Sequence, residues 1–374
     1  LWANGPGGLC SIDVRAEGIE VFRFPELNPS LGHLASVWSE PDGSAWCALY
    51  RHGVRHIAAD GLTYRALEST GSTQRDAVDI RRTKAGELWS VIDLQPGRIR
   101  DDLFEPVPLP KPANRVRLYE DDEGTLLARV YAGGDRAILY RFDDGQDAWS
   151  EVMDAAPIAP GPVPVVPGGL WIAGHKNLLL WDPASATVRR LPLERLPLES
   201  RRAAPPIAAD GAGGVWVLGR DALSHLDASG GQASVTLTGD DLMPAGDRLR
   251  GLVRDRSGRL WLYGGRALTL YEPMTGRLRR YGPGDGLPDS ILMHRSGRLT
   301  ASGDIVIAMR DGLLRFDPEV IAAERQPPRV ALASCYAANR RLDLGRRDER
   351  RTLSHRDALI SLDLAALLEP TPSN

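Results

Sequence analysis

The chain has 374 residues, 43% of them hydrophobic and 25% charged, with a formal net charge of −3 and a pI near 6.2. This balance excludes a disordered chain and supplies no basic excess for nucleic acid. No run of 18 or more apolar residues reads as a membrane-spanning helix, and no signal peptide opens the chain.

The first residues already lie inside a repeat. Leu1-Trp2 matches the end of a short phrase, glycine, one residue, an aliphatic and then Trp. The phrase returns as Gly43-Ser44-Ala45-Trp46, Gly86-Glu87-Leu88-Trp89, Gly168-Gly169-Leu170-Trp171, Gly213-Gly214-Val215-Trp216 and Gly258-Arg259-Leu260-Trp261. Gly124-Thr125-Leu126-Leu127 and Gly303-Asp304-Ile305-Val306 keep the glycine and put an aliphatic in place of Trp. Successive Trp-equivalent positions lie 38–45 residues apart, the period of a four-stranded propeller blade. Trp2, Trp46, Trp89, Trp171, Trp216 and Trp261 therefore read as a structural blade signature. An aromatic that buries roughly 150–250 Å² once per sheet packs blade on blade. A sugar-stacking platform would not recur in register.

Within one repeat, 249–253 is a short apolar run, 255–258 a turn, 260–263 a second strand, and Gly264-Gly265 a hairpin turn. A third strand is expected at 267–271, a turn at 273–276 and a fourth strand at 277–281. Third-strand copies stand at 8–13, 178–183, 223–227 and 313–318, and fourth-strand copies at 21–24 and 188–191. The Asp-x-x-Gly turns at 121–124 and 255–258 lack the further oxygen ligands of a calcium loop, so their aspartates are read as braces for the turn. The step from Trp89 to Leu127 is short and rich in proline (Pro106, Pro108, Pro110, Pro112), which predicts an irregular blade. Helical periodicity is absent apart from a short turn at 319–324.

Seven full signatures, from Trp46 to Val306, predict an all-β, seven-bladed β-propeller, with eight blades as the alternative. Residues 1–33 are expected to hold a partial blade (1–14) and the strand that closes the ring (18–24), and 34–325 the propeller itself. After Pro327-Pro328 the period stops. Alternation at 329–336 and 358–364, with a charged loop at 346–351, predicts the start of an incomplete Ig-like β-sandwich over 327–374. A chain that opens and stops in mid-pattern is expected to be a piece of a longer protein.

The repeat Asp-x-x-Gly-x-Leu-Trp, followed by Gly-Leu and then Tyr or Phe with Asp, resembles the two-component regulator propeller. Asp285-Gly286-Leu287-Pro288, followed by Gly312-Leu313-Leu314-Arg315-Phe316-Asp317-Pro318, resembles that family's terminal repeat. Residues 327–374, with the apolar strand 359–364 and Glu369-Pro370-Thr371-Pro372-Ser373-Asn374, are similar to the opening of a Y_Y_Y domain. The resemblance implies the periplasmic sensor of an inner-membrane signalling protein, with a histidine kinase (sometimes hybrid) or a diguanylate cyclase as output. It implies a small-molecule or oligosaccharide ligand, a homodimer formed through the sensor region, and a membrane contact only through segments outside this chain.

No motif for nucleophilic, zinc-dependent or nucleotide chemistry is present. The seven histidines (33, 52, 56, 175, 225, 294, 355) are scattered, and His52 and His56 are the one pair close in sequence. Asp101-Asp102 and Asp240-Asp241 fit exposed turns. Cys10, Cys47 and Cys335 form no disulfide framework; Cys10 and Cys47 lie on neighbouring repeats and read as buried thiols rather than a bridge. No catalytic residue, cofactor or metal is assigned. The enzymatic alternative is a propeller lyase of the streptogramin-inactivating type, which needs His and Glu converging on a divalent metal. A protein-interaction scaffold is the third reading. Ligand residues are sought in the long loops 66–76, 101–114, 153–162, 194–206 and 238–247.

Overall fold

Seven repeats each fold into a four-stranded antiparallel sheet. The computed structural model describes residues 2–5, 8–11, 18–23, 34–58, 64–67, 76–121, 123–133, 136–155, 165–166, 169–173, 177–182, 185, 187–192, 205–219, 222–227, 229, 233–238, 241–244, 246–293, 296–300, 302–323, 329–337, 340–342 and 360–367. Blades 1 to 6 occupy 34–66, 77–106, 115–155, 165–192, 207–238 and 251–281, and their strands run in chain order from the inside of the ring outward. In blade 6 the four strands are Gly251–Arg254, Leu260–Tyr263, Leu268–Glu272 and Arg277–Tyr281, close to the expected grammar.

Each blade is an open sheet that cannot bury its own two faces, so it leans on its neighbour. Seven hydrophobic clusters do this, one at each interface between blades. Trp46 packs on Ala77, Ile80 and Leu88 of blade 2, and Trp89 on Val116, Leu118 and Leu126 of blade 3. Leu127 meets Leu170, Ile172 and Trp181 of blade 4. Trp171 meets Ile207 and Val215 of blade 5, and Trp216 meets Leu252 and Leu260 of blade 6. Trp261 meets Ile305 and Phe316 of blade 7. The circle closes where Val306 packs on Leu34, Val37 and Cys47 of blade 1. Eight blades are thereby excluded.

Blade 7 is built from both ends of the ring. Its first three strands are Arg298–Leu299, Ile305–Met309 and Gly312–Phe316, and its outer strand is Ile19–Arg23, paired antiparallel to Gly312–Phe316. Arg315 ties this seam, donating to Glu20 at 2.6 Å and to the Gly43 carbonyl of blade 1 at 3.0 Å. Gly312 is required here for space: a Cβ would land on the Phe22 carbonyl oxygen of the closing strand. Because that obstacle is backbone, Gly312→Ala is expected to cost about 1–3 kcal/mol. The loss should be local, with amides 19–23 losing hydrogen-exchange protection while those of blades 2–4 keep theirs. Upstream, Trp2–Gly5 and Gly8–Ser11 form a two-stranded hairpin.

Blade 3 is a complete four-stranded sheet with local irregularities. Three of its strands, Leu126–Gly133, Arg136–Asp143 and Ala148–Ala155, have eight residues each. The irregularity amounts to two bulges. Leu127 shares its cluster with the large rings of Tyr119 and Trp181. Trp149 on the outer strand packs on Trp89 at 5.8 Å and on Phe142 at 5.1 Å. The prolines fall at the end of the outer strand Leu103–Pro106 and in the connector after it, where no ladder hydrogen bond is lost. Cys47 is a free, fully buried thiol whose pKa burial raises; the Cys10 side chain lies outside the described residues.

Residues 323–374 form a second compact unit. Its described strands make a three-stranded antiparallel sheet, with Arg329–Ala337 between Arg340–Leu342 and Ile360–Leu367. A bulge separates Leu332 from Ser334, whose hydroxyl donates to Asp363. The charged loop at 346–351 lies outside the described residues. Among the described residues no helix is long and apolar enough to cross a membrane.

Candidate functional site

The innermost strand of every blade pairs only on its outer side, so its inner edge presents backbone groups to the axis of the ring. Asp79, on the inner strand Ala77–Arg82 of blade 2, gathers four blades there. One carboxylate oxygen accepts from Ser36 Oγ of blade 1 at 2.9 Å, from Arg298 Nη2 of blade 7 at 3.0 Å and from its own neighbour Ile80 N at 3.0 Å. The other accepts from Leu118 N of blade 3 at 2.9 Å. Asp79 is 1% exposed. Burial pushes its carboxyl up, but Arg298, Arg117, Arg81 and the Leu118 N–H together outweigh it and hold the group below its ordinary value.

Around this carboxylate stands a set of arginines. Arg117 donates to the Val78 carbonyl. Arg129 is fully buried, its guanidinium 5.1 Å from the Tyr119 ring and 5.9 Å from the Tyr131 ring. Burial keeps the Tyr119 phenol protonated, above its ordinary value. Arg81 follows Asp79 on the same face of the strand, and its Nε is enclosed with no hydrogen-bond partner among the described residues. Burial, and then the neighbouring Arg298 cation, push the Arg81 guanidinium down to about 10, against the pull of Asp79, Glu120 and Tyr119.

A second feature lies between the turns that join first and second strands. An open cleft of about 420 Å³ is lined by Glu40, Pro41, Asp42, Ser44, Trp46 and His56 of blade 1 with Arg82 of blade 2. Arg82 grips Glu40 through Nε and Nη2 at 2.6–3.1 Å. The Ser44 side chain and N–H hold the Asp42 carboxyl below its ordinary value. His56 covers Trp46 at 4.4 Å and reaches Ser44 Oγ at 3.3 Å. Blade 5 repeats the motif, with His225 at 4.4 Å from Trp216 and its Nε2 at 2.8 Å from Asp210.

One carboxylate oxygen of each aspartate in the repeated turns is taken up by backbone. Asp121 accepts from Glu123 N and Thr125 N, Asp210 from Ala212 N and Gly214 N, and Asp255 from Arg259 N, all within 3.0 Å. Trp89, Trp171 and Trp261 are fully enclosed, whereas Trp46 and Trp216, each with a histidine against its ring, keep 8% and 7% exposure. The Trp2 side chain lies outside the described residues. His52 precedes the strand Gly53–Ile57 and His56 lies near its far end, so four residues of extended chain put roughly 13 Å between them. His33, His175, His294 and His355 lie outside the described residues.

Antiparallel strands alternate their connectors between the two faces of the ring, so the connectors between blades and the turns joining second to third strands share one face. Of the expected binding loops, most of 66–76, 153–162 and 194–206 lies outside the described residues. Asp101 and Asp102 have positive φ, 48° and 64°, and form the hairpin turn before Leu103–Pro106. In 238–247, Leu242 and Met243 are buried and pack between blades 5 and 6, so that loop is anchored to the core.

No family model and no curated protein matches the chain. Solved structures do. The extracellular domain assigned to the hybrid two-component system BT3049 of B. thetaiotaomicron is 16% identical, with a TM-score of 0.63 over 93% of this chain and 48% of that one. The extracellular domain assigned to the one-component system BT4673 of the same organism is 14% identical, with a TM-score of 0.60 over 84% of this chain and 41% of that one. YCF48, solved bound to D1 peptide, is 14% identical, with a TM-score of 0.62 over 80% of this chain and 95% of its own. The chain thus spans about half the length of the sensor domains it matches. These likenesses establish the β-propeller fold.

Proposed function

We propose that this chain is the extracytoplasmic, ligand-sensing region of a membrane-anchored signalling protein of the two-component regulator propeller kind. The observation that carries this reading is the reach of the BT3049 likeness. It covers 93% of the chain, more than residues 1–322 alone can supply, and so continues past the ring. The likeness to YCF48 covers 80%. A propeller followed by a separate β-unit is also what the Pro327-Pro328 joint and the Y_Y_Y-like pattern of 327–374 suggest.

In this reading the ring recognises and does not turn over its ligand, a small molecule or an oligosaccharide. The cleft at Trp46 offers a partly exposed aromatic edge among carboxylates, a hydroxyl and an imidazole, a chemistry suited to a hydroxyl-rich ligand. Binding biases the packing of paired sensor regions, and segments outside this chain carry the bias across the membrane to a kinase or cyclase. A ligand shifts that equilibrium only by its differential affinity for the two arrangements.

Two measurements test this. The gene downstream of codon 374 should encode a membrane helix and an output domain; a stop codon shortly after 374 sinks the sensor reading. A thermal-shift panel of neutral oligosaccharides on the 374-residue protein should give a saturable rise in Tm for at least one, since a ligand at 100 times its Kd stabilises by about 2.7 kcal/mol. A panel without any rise removes the carbohydrate part.

A further inference from the structure

We infer that the axis of the ring holds a binding site for a small oxyanion (a carboxylate, sulfate or phosphate group), gripped by Arg81 with Arg298. The inference rests on the ring alone and stands or falls apart from the signalling reading.

Among the described residues the charges gathered about Asp79 do not balance. Arg81, Arg117, Arg129 and Arg298 face two carboxylates, Asp79 and Glu120. Asp79 already accepts four hydrogen bonds, three of them on one oxygen, and none comes from Arg81. Glu120 accepts from Lys84 N at 2.6 Å. Arg117 is committed to Val78 O, and Arg129 is enclosed beside two tyrosine rings. Arg81 is left with an enclosed Nε that no described residue accepts from. An enclosed donor without an acceptor costs the full desolvation of that group, and a like charge at Arg298 adds to the cost. The half-buried neighbour Arg82 shows the contrast, since its guanidinium is taken up by Glu40 and the Gly86 carbonyl.

An oxyanion resolves both defects at once. A planar guanidinium fork matches its oxygens, and its charge screens the two cations from each other. The site is reachable, because the Arg298 side chain keeps 32% exposure while Asp79 beneath it keeps 1%. The anion could be free in solution or the acidic group of a sugar, and the arms of the test separate these.

The 374-residue protein is titrated with sulfate, phosphate and glucuronate, each against sodium chloride at equal ionic strength, and Tm is read. A saturable rise of several degrees is expected with at least one oxyanion and none with chloride. A rise with glucuronate beyond that with the inorganic ions assigns the site to a sugar acid; the reverse assigns it to a free inorganic anion. Arg81→Gln should abolish the rise, and Arg280→Gln, on an exposed outer strand, should keep it. In chloride alone, Arg81→Gln should melt no lower than the parent, because it removes an enclosed donor that has no acceptor and a cation repelled by Arg298. A rise that never saturates and persists in Arg81→Gln reports general salt exclusion and overturns the site. So does no rise at all, or an Arg81→Gln protein destabilised in chloride, which would make Arg81 a structural residue.

Discussion

Asp79→Ala should destabilise the ring by about 3–5 kcal/mol, the cost of stranding a buried partner charge. Three consequences act together. Arg298 loses its carboxylate across the axis, Arg81 loses the stronger of its two countercharges, and Leu118 N and Ser36 Oγ lose their shared acceptor, a carboxylate that is 1% exposed. Because blades 1, 2, 3 and 7 all contribute, urea unfolding monitored by tryptophan fluorescence should show an earlier midpoint for the ring as a whole. A midpoint within error of the parent would mean that water replaces the carboxylate, and that the network contributes little.

Asp79→Asn separates charge from shape and sets the pH window. The folded-state pKa of Asp79 lies below its ordinary 3.8. A depressed acid contributes stability that is fully present above the unfolded value and is lost as pH falls towards the folded one. The gap between parent and Asp79→Asn should therefore be constant from neutral pH down to about pH 4 and narrow below it. A gap that widens on acidification would contradict the sign of the shift.

These residues show where reading the chain stops being sufficient. Trp46, Trp89, Trp171, Trp216 and Trp261 were legible because each blade solves the same local problem with the same side chain at the same offset. The period counts those solutions directly. The face on which the long loops lie follows once the strand order is seen to be a simple antiparallel meander, which the spacing implies but does not assign. Asp79 and Arg298 were not legible in this way. They stand 219 residues apart, and they meet only because blade 7 borrows Ile19–Arg23 and brings the two ends of the ring together. The one local signal is compositional. Blade 2 carries Asp79 and Arg81 where the inner strands of blades 5 and 6 run Ile207-Ala208-Ala209 and Gly251-Leu252-Val253. Charge at an inner edge is costly unless something across the axis answers it. Blade 3 was only partly legible for a related reason: its irregularity is expected from the sequence, but not its form, two bulges in an otherwise complete sheet. Spacing and proline content describe one segment, whereas Leu127 is supported by Trp181 from the next blade.

Trp261→Ala should cost a similar amount, about 3–5 kcal/mol, through an unrelated mechanism. Trp261 is fully buried between blades 6 and 7, with Tyr281 at 5.7 Å and Phe316 at 5.0 Å between ring centroids. Its indole N–H donates to Asp255 at 2.9 Å, so the ring that packs the blades also braces the turn beside it. Neither neighbour can collapse into the space, because Phe316 belongs to the strand that holds the closing segment Ile19–Arg23. The cavity should therefore persist. Trp46→Ala is the informative comparison. Trp46 keeps an edge open to the cleft, so water can enter and less packing is lost. Its cost should be smaller, about 2–3 kcal/mol. Urea midpoints for the two variants, measured side by side, decide the matter. Equal losses would mean that Trp46 is as enclosed as Trp261, and the cleft could then offer a ligand no aromatic edge.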